Sequence, residues 1–177
     1  MKIIVGITGA SGSIYAITLL RELFEQSLEV FGVCSDAGKI VMKEECGVSQ
    51  EDFPFVNWYN SDDMFSLPAS GSNFFDGMVI VPCSMNTLSC VANGLSNNLL
   101  QRAATVMLKE SRKLVVVPRE TPLSIIQIEA MSKLAAAGTI ILPAAPAFYK
   151  KPNSIQDLVN FITNRITAQF IKPTPKQ

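Results

Sequence analysis

The sequence predicts an α/β protein with one domain, built on an open, doubly wound parallel sheet with helices on both faces. Three observations carry this. Short β-branched apolar runs recur at residues 2–8, 28–34, 77–82, 113–118 and 139–142. They lack the polar alternation of a half-exposed strand, so they suit strands buried on both faces of a parallel sheet. Between them lie stretches with helical spacing of apolar residues, and strands alternating with helices in this way are the pattern of βαβ units. The 177 residues fit one such domain.

In order, residues 2–8 (KIIVGIT) form a strand that runs into a glycine turn. A helix follows over 11–26, where Ile14, Ile17, Leu20, Leu23 and Phe24 recur on one face. Residues 28–34 are a second strand and 36–46 a second helix. Residues 47–75 mix Pro, Ser, Asn, Asp and aromatics without a period. They read as a long excursion with a short strand near Val56, and such excursions in small domains tend to be functional. GMVIVP at 77–82 is the third clear strand, followed by helices over 84–92 and 98–110. KLVVVP at 113–118 is a strand, and 122–137 a helix with Pro122 in its first turn. Residues 139–142 form another strand. A final amphipathic helix spans 154–170, with Ser154 as N-cap. The domain is expected over 1–171, with 172–177 a flexible tail.

Composition narrows the function. A chain that is 48% hydrophobic and 17% charged is not a disordered one. Fifteen basic residues balance fifteen acidic ones, which gives no basic stripe for nucleic acid. The apolar run at the N-terminus is too short for a signal peptide, and no apolar stretch is long enough for a membrane span. The expected compartment is the cytoplasm. Cys34, Cys46, Cys83 and Cys90 contain no C-x-x-C pair, so they read as reduced thiols and not as a disulfide or metal framework. There is no histidine. That excludes a Ser-His-Asp triad, a Cys-His dyad, a histidine metal site and a histidine base. Proton transfer must fall to Asp, Glu, Lys, Tyr, Cys, the substrate or water. Low charge also favours self-association, since obligate interfaces are apolar.

In open α/β sheets ligands bind outside the carboxyl ends of the strands, at the point where strand order reverses. Four segments here follow strand ends. Gly6-Ile7-Thr8-Gly9-Ala10-Ser11-Gly12 has three glycines that let backbone approach a phosphate at a helix N-terminus, with tight packing as the structural alternative. In Cys34-Ser35-Asp36, Ser35 is a helix cap or a ligand contact, and Asp36 stands where dinucleotide enzymes hold a ribose. Pro82-Cys83-Ser84-Met85-Asn86-Thr87 concentrates donors that serve a helix cap or a phosphate or flavin contact. Pro118-Arg119-Glu120-Thr121-Pro122 sets an Arg-Glu pair after a buried strand, costly to desolvate unless used or paired. Arg102 and Lys109 lie seven apart on one helix face. Tyr149, in FYKKP, and Arg165, in the last helix, complete the candidates, with packing and a solvated face as the plain readings.

Taken in order, VGITGASGSIYA, PCSMNT, LLQRAATVMLKE, VVVPRETPL and LPAAPAFYKKP resemble the flavin prenyltransferase family (UbiX type), within the small flavin-binding decarboxylase-like proteins. The resemblance runs from Ile3 to about Phe170. It implies a Rossmann- or flavodoxin-like fold and a metal-independent transfer of a dimethylallyl group from dimethylallyl phosphate to reduced FMN. It also implies a homododecamer, and delivery of the prenylated FMN to a partner decarboxylase of ubiquinone or aromatic-acid metabolism. By position, Gly9, Ala10, Ser11, Ser35, Ser84, Met85, Asn86, Thr87 and Arg119 resemble the FMN contacts. Arg102, Lys109, Tyr149 and Arg165 resemble the clamp on the prenyl phosphate, part of it supplied across a subunit interface. Glu45 and Glu120 match acidic site positions, and with Lys109 they form the implied catalytic set.

Two segments depart from the family. Gln127-Ile128-Glu129-Ala130 stands where His-Leu-Glu-Asn is usual, and Asp36 where a basic residue is frequent. A related reading, a peptidyl-cysteine decarboxylase, needs a histidine the chain lacks. A short-chain dehydrogenase needs Tyr-x-x-x-Lys, but Tyr15, Tyr59 and Tyr149 are followed at that spacing by Leu19, Asp63 and Asn153. A non-catalytic flavin carrier is set apart by whether Arg102, Lys109, Glu120, Tyr149 and Arg165 meet in one pocket.

Overall fold

The computed structural model describes residues 1–171; the expected tail lies outside the described residues. Six strands form one parallel sheet: β1 Lys2–Ile7, β2 Glu29–Cys34, β3 Asn57–Tyr59, β4 Gly77–Cys83, β5 Lys113–Pro118 and β6 Ile140–Ile141. Their spatial order is β3-β2-β1-β4-β5-β6. The chain works outward from β1 to β3, returns to place β4 on the other side of β1, then works outward again. The order therefore reverses between β1 and β4, where Val5 pairs with both Gly32 and Val79.

Alternate residues of each strand feed two cores. Ile3, Val5 and Ile7 of β1 pack with α1 (Ser13–Glu25), α2 (Asp36–Cys46) and α6 (Ile155–Phe170). Ile4 faces the other side, toward α3 (Met85–Ala92), α4 (Leu99–Lys109) and α5 (Ile125–Ala136). Burial on both faces is why the strands read as unbroken apolar runs.

Five helices begin at a side chain that accepts a backbone N–H of the first turn. These are Ser35 from Gly38, Ser84 from Thr87, Asn98 from Gln101, Ser124 from Gln127 and Ser154 from Asp157. Ser154 thus caps α6 as expected. Two starts differ from the sequence reading. Gly12, at φ 111°, precedes α1, so the helix opens at Ser13 and not at residue 11. The last helix before β6 opens at Ile125 and not at Pro122. Ser124 and Gln127 form a reciprocal capping box there, which satisfies N–H groups that a proline start would leave open.

The long excursion contains β3, one residue beyond the expected strand, and two 3₁₀ turns at Gln50–Asp52 and Leu67–Ala69. Its return is pinned to α4 and to the start of β5. Leu99 N–H donates to the Ser61 carbonyl, Arg102 Nε to Ala69, and the Arg112 guanidinium to both Gly71 and Asn73 at 2.7 Å.

α2 approaches β1 through Gly38. A Cβ there would stand 2.8 Å from the Ile7 carbonyl oxygen and 3.0 Å from Cys34 Sγ. The obstruction is backbone and does not yield cheaply. Gly38→Ala should therefore destabilise the fold by about 1–3 kcal/mol, despite alanine's better helix propensity, as read by the midpoint of urea unfolding.

Candidate functional site

Because all six strands run the same way, their carboxyl ends share one edge of the sheet, and the four turns singled out above meet there. Thr8 joins two of them. Its hydroxyl donates to the Pro82 carbonyl at 2.7 Å and accepts the Ser84 N–H at 2.8 Å. This fixes the turn after β1 against the turn after β4 across the point of reversal. Sequence reading passed Thr8 over as the last residue of a strand. A lone buried hydroxyl ending an apolar run was the available signal.

The turn after β1 is crossed by α2. A Cβ on Gly9 would lie 2.5 Å from the Ala37 side chain, so only glycine allows the approach. At the other end of α2, Glu45 Oε2 accepts the N–H groups of Gly12 and Ser13, both at 2.9 Å. At the start of α1, the helix read as a seat for a ligand phosphate, the N–H groups of Gly12 and Ser13 are thus bonded to the protein's own carboxylate. Burial works against that charge, but hydrogen bonds from Ser11, Gly12 and Ser13 outweigh it and hold the Glu45 carboxyl below the usual range. The Ser13 hydroxyl, fully buried beside it, has no hydrogen-bond partner.

Arg119 reaches back from β5. Its N–H donates to the Cys83 carbonyl at 3.2 Å and its Nε to the Ser11 carbonyl at 3.1 Å. It forms no ion pair with Glu120, whose carboxylate is exposed and accepts the Thr121 N–H. Ser35 and Ser84 serve as helix caps, while Asn86 and Ser11 are exposed along the same edge, Ala10 and Met85 are buried, and Thr87 bonds Ser84. Asp36 is paired with Lys39 at 2.9 Å. Cys34 and Cys83 are inert thiols: burial pushes Cys34 up to about 12 and Cys83 higher still.

The remaining candidates do not converge within one protomer. Arg102 lies partway down α4, tied to Ala69. Lys109 ends that helix, about 10 Å farther along its axis, pairs with Glu110, and sits toward the amino edge of the sheet. Tyr149 and Arg165 share a depression of about 450 Å³ with Ile141, Leu142 and Phe161, beside the edge strand β6. Tyr149 is 76% exposed.

Gly9, Ser11, Ser35, Ser84, Asn86 and Arg119 thus gather at a switch point whose first turn has no room for a side chain. That is the site of a nucleotide-binding α/β protein. A family model described as Flavoprotein matches residues 1–167. The flavin prenyltransferase UbiX of Methanocaldococcus jannaschii is 48% identical over 94% of this chain and 91% of its own length. A dodecameric FMN-dependent UbiX-like decarboxylase from Escherichia coli O157:H7 superposes with a TM-score of 0.95 at 39% identity, covering 100% of this chain and 98% of the other. A second solved structure, AnUbiX (PadA1) in complex with FMN and dimethylallyl pyrophosphate, gives 0.92 at 36% identity, over 99% and 98%. The chain belongs to the flavin prenyltransferase family of UbiX type.

Two outcomes follow from this geometry. Thr8→Val leaves the Ser84 N–H without its acceptor and should cost about 1–3 kcal/mol in urea unfolding. Glu45 has a depressed folded pKa, so its contribution is present above the ordinary carboxylate value of about 4.3 and is lost as pH falls through the lower folded value. Glu45→Gln should therefore be less stable than wild type at neutral pH, with the gap closing on acidification, as followed by thermal melts across the acid range.

Proposed function

We propose that this protein transfers a dimethylallyl group to reduced FMN and releases the donor's phosphate. The observation that carries the reading is the ordered set of strand-end turns meeting at the point of reversal, in a chain 48% identical over 94% of its length to a named flavin prenyltransferase. The residues suit FMN: a turn closed to side chains at Gly9, hydroxyls at Ser11, Ser35 and Ser84, the exposed Asn86 amide, and Arg119 spanning two turns. Gly9, Ala10, Ser11, Ser35, the turn from Ser84 through Met85 and Asn86 to Thr87, and Arg119 would hold it. When bound, reduced flavin supplies the electron pair for the new bond.

The protein's task is then to let the allylic C–O bond break with its electron pair going to the phosphate. Arginine, lysine and tyrosine donors fixed around that phosphate stabilise the growing charge without a metal. Arg102, Lys109, Tyr149 and Arg165 are assigned this role. Arg102 and Lys109 lie on α4 while Tyr149 and Arg165 share a depression beside β6, which supports a clamp completed by a second copy and hence a homo-oligomer, with a dodecamer as the assembly. An apolar wall orients the prenyl chain and excludes water. Glu120 is the proton relay to the leaving phosphate. It is exposed and free of any cation partner among the described residues, as a group that exchanges protons should be. Glu45, ionised at neutral pH, acts as a fixed anion rather than a proton donor. The prenylated flavin is passed to a decarboxylase that depends on it, and the protein works in the cytoplasm. Among the described residues, no helix is long and apolar enough to cross a membrane.

Mixed anaerobically with reduced FMN and dimethylallyl phosphate, the protein should yield a heavier extracted flavin and a matching amount of free phosphate. Unchanged FMN that stays tightly bound would move the reading to a flavin carrier or decarboxylase. Glu120→Gln should slow turnover by about 10²–10⁴-fold, the usual range for a general acid or base, while FMN binding measured by fluorescence quenching is retained. Full turnover by that variant removes Glu120 from the mechanism.

A further inference from the structure

α6 presents three faces. Ile162, Ile166 and Phe170 enter the core that also holds Ile3, Val79 and Leu19. Phe161 and Arg165, one turn apart, line the depression beside β6. Thr163, midway between them in sequence, is fully buried and turns toward α1, where its hydroxyl donates to Glu22 Oε1 at 2.7 Å. Among the described residues, the only other polar tie between α1 and α6 joins Gln156 to Thr18, exposed and 3.5 Å long. Apolar packing between two helices is non-directional and tolerates small rotations. A short hydrogen bond has a preferred direction and does not. Tyr149 in turn rests edge-on against Phe161, with ring centroids 6.5 Å apart. Glu22 therefore stands behind both residues of the depression that are assigned to the donor's phosphate, Arg165 directly along α6 and Tyr149 through Phe161.

We propose that Glu22 is a positioning residue for the donor clamp, holding α6 through Thr163 so that Arg165 and the Phe161–Tyr149 pair keep their places beside β6. This rests on the clamp proposed above and adds to it a residue outside the strand-end turns and the depression. A plain helix-surface carboxylate would not be built this way. Glu22 is half-buried, and its second oxygen, Oε2, is buried with no hydrogen-bond partner among the described residues. No ion pair reaches it there either. Its neighbour Arg21 lies over the Phe53 ring, and the acid of α6, Asp157, caps its own helix. Burial raises the pKa of Glu22 more than the Thr163 hydrogen bond lowers it, and Glu25 adds to the rise. The seat thus favours a neutral acceptor. Glutamine is the nearest neutral mimic of that acceptor, while alanine removes it.

The test is anaerobic steady-state kinetics with reduced FMN and dimethylallyl phosphate, each varied in turn. Glu22→Ala should raise KM for the donor about fivefold, the net worth of one hydrogen bond, while FMN affinity is unchanged. The Thr163 hydroxyl then has the Asn160 carbonyl 3.4 Å away on its own helix, so the variant strands no buried donor and should fold. Thr163→Val, which removes the other partner at constant shape, should give the same increase. Glu22→Gln should restore KM close to the wild-type value. An unchanged donor KM in both Glu22→Ala and Thr163→Val overturns the assignment. So does an FMN affinity that falls in step with the rise in KM, the mark of a merely structural role, or a glutamine variant that behaves like alanine. Wild-type protein that consumes no donor overturns the proposed function, and this inference with it.

Discussion

One hydroxyl governs the geometry of the carboxyl edge. Thr8 directly follows β1, which with β4 joins the two halves of the sheet, and it bonds the end of β4 and the turn after it through one donor and one acceptor interaction. A parallel sheet fixes strand ends only as far as its ladder runs, and backbone beyond it needs other partners. At the point of reversal two chains leave the ladder side by side and diverge toward opposite faces. The cleft between them is what makes the place a binding site, and is also what would let it spread. Thr8 sets its width. Arg119 then reaches over β4 to Ser11 and ties the turn after β5 to the turn after β1. Ser35, Ser84 and the exposed amide of Asn86 are presented on a frame held by these few bonds.

Charge at this edge is partitioned as well. Glu45 occupies the N–H groups that open α1, and Asp36 with Lys39 occupies the start of α2. The first turn of α3 carries no acidic residue and is closed only by its own serine. Each helix start answers its free N–H groups with a group from this chain, which keeps the dipoles satisfied before any ligand arrives.

The sheet was legible because burial on both faces imposes a composition that few other structures share. Ile3 to Ile7, Gly77 to Val81 and Leu114 to Val117 have no polar positions to confuse the reading. Caps at Ser35, Ser84 and Ser154 were legible for a similar reason: the signal lies within four residues. Contacts that bridge distant segments were not. Glu45 reaches Gly12 across 33 residues and Arg119 reaches Ser11 across 108, and both depend on the angles at which helices and turns leave the sheet. The start of α5 was misread because two local rules competed, and the capping box at Ser124 and Gln127 prevailed over the proline. The resemblance identified clamp residues by position. It did not say that Lys109 would fall near the amino edge of its own protomer, or that Tyr149 and Arg165 would share a depression beside β6.

The absence of histidine and the burial of the thiols leave the protein electrically quiet around neutrality. Histidine, the side chain whose ordinary range lies nearest neutrality, is missing, and burial displaces the thiols of Cys34, Cys46 and Cys83 upward. The phosphates of the ligands, whose second ionisation falls near 6 in ordinary phosphate esters, change charge there instead. A protein built this way presents a nearly constant field while the protonation of its guests varies. Its response to the acidity of its surroundings is written largely in what it binds.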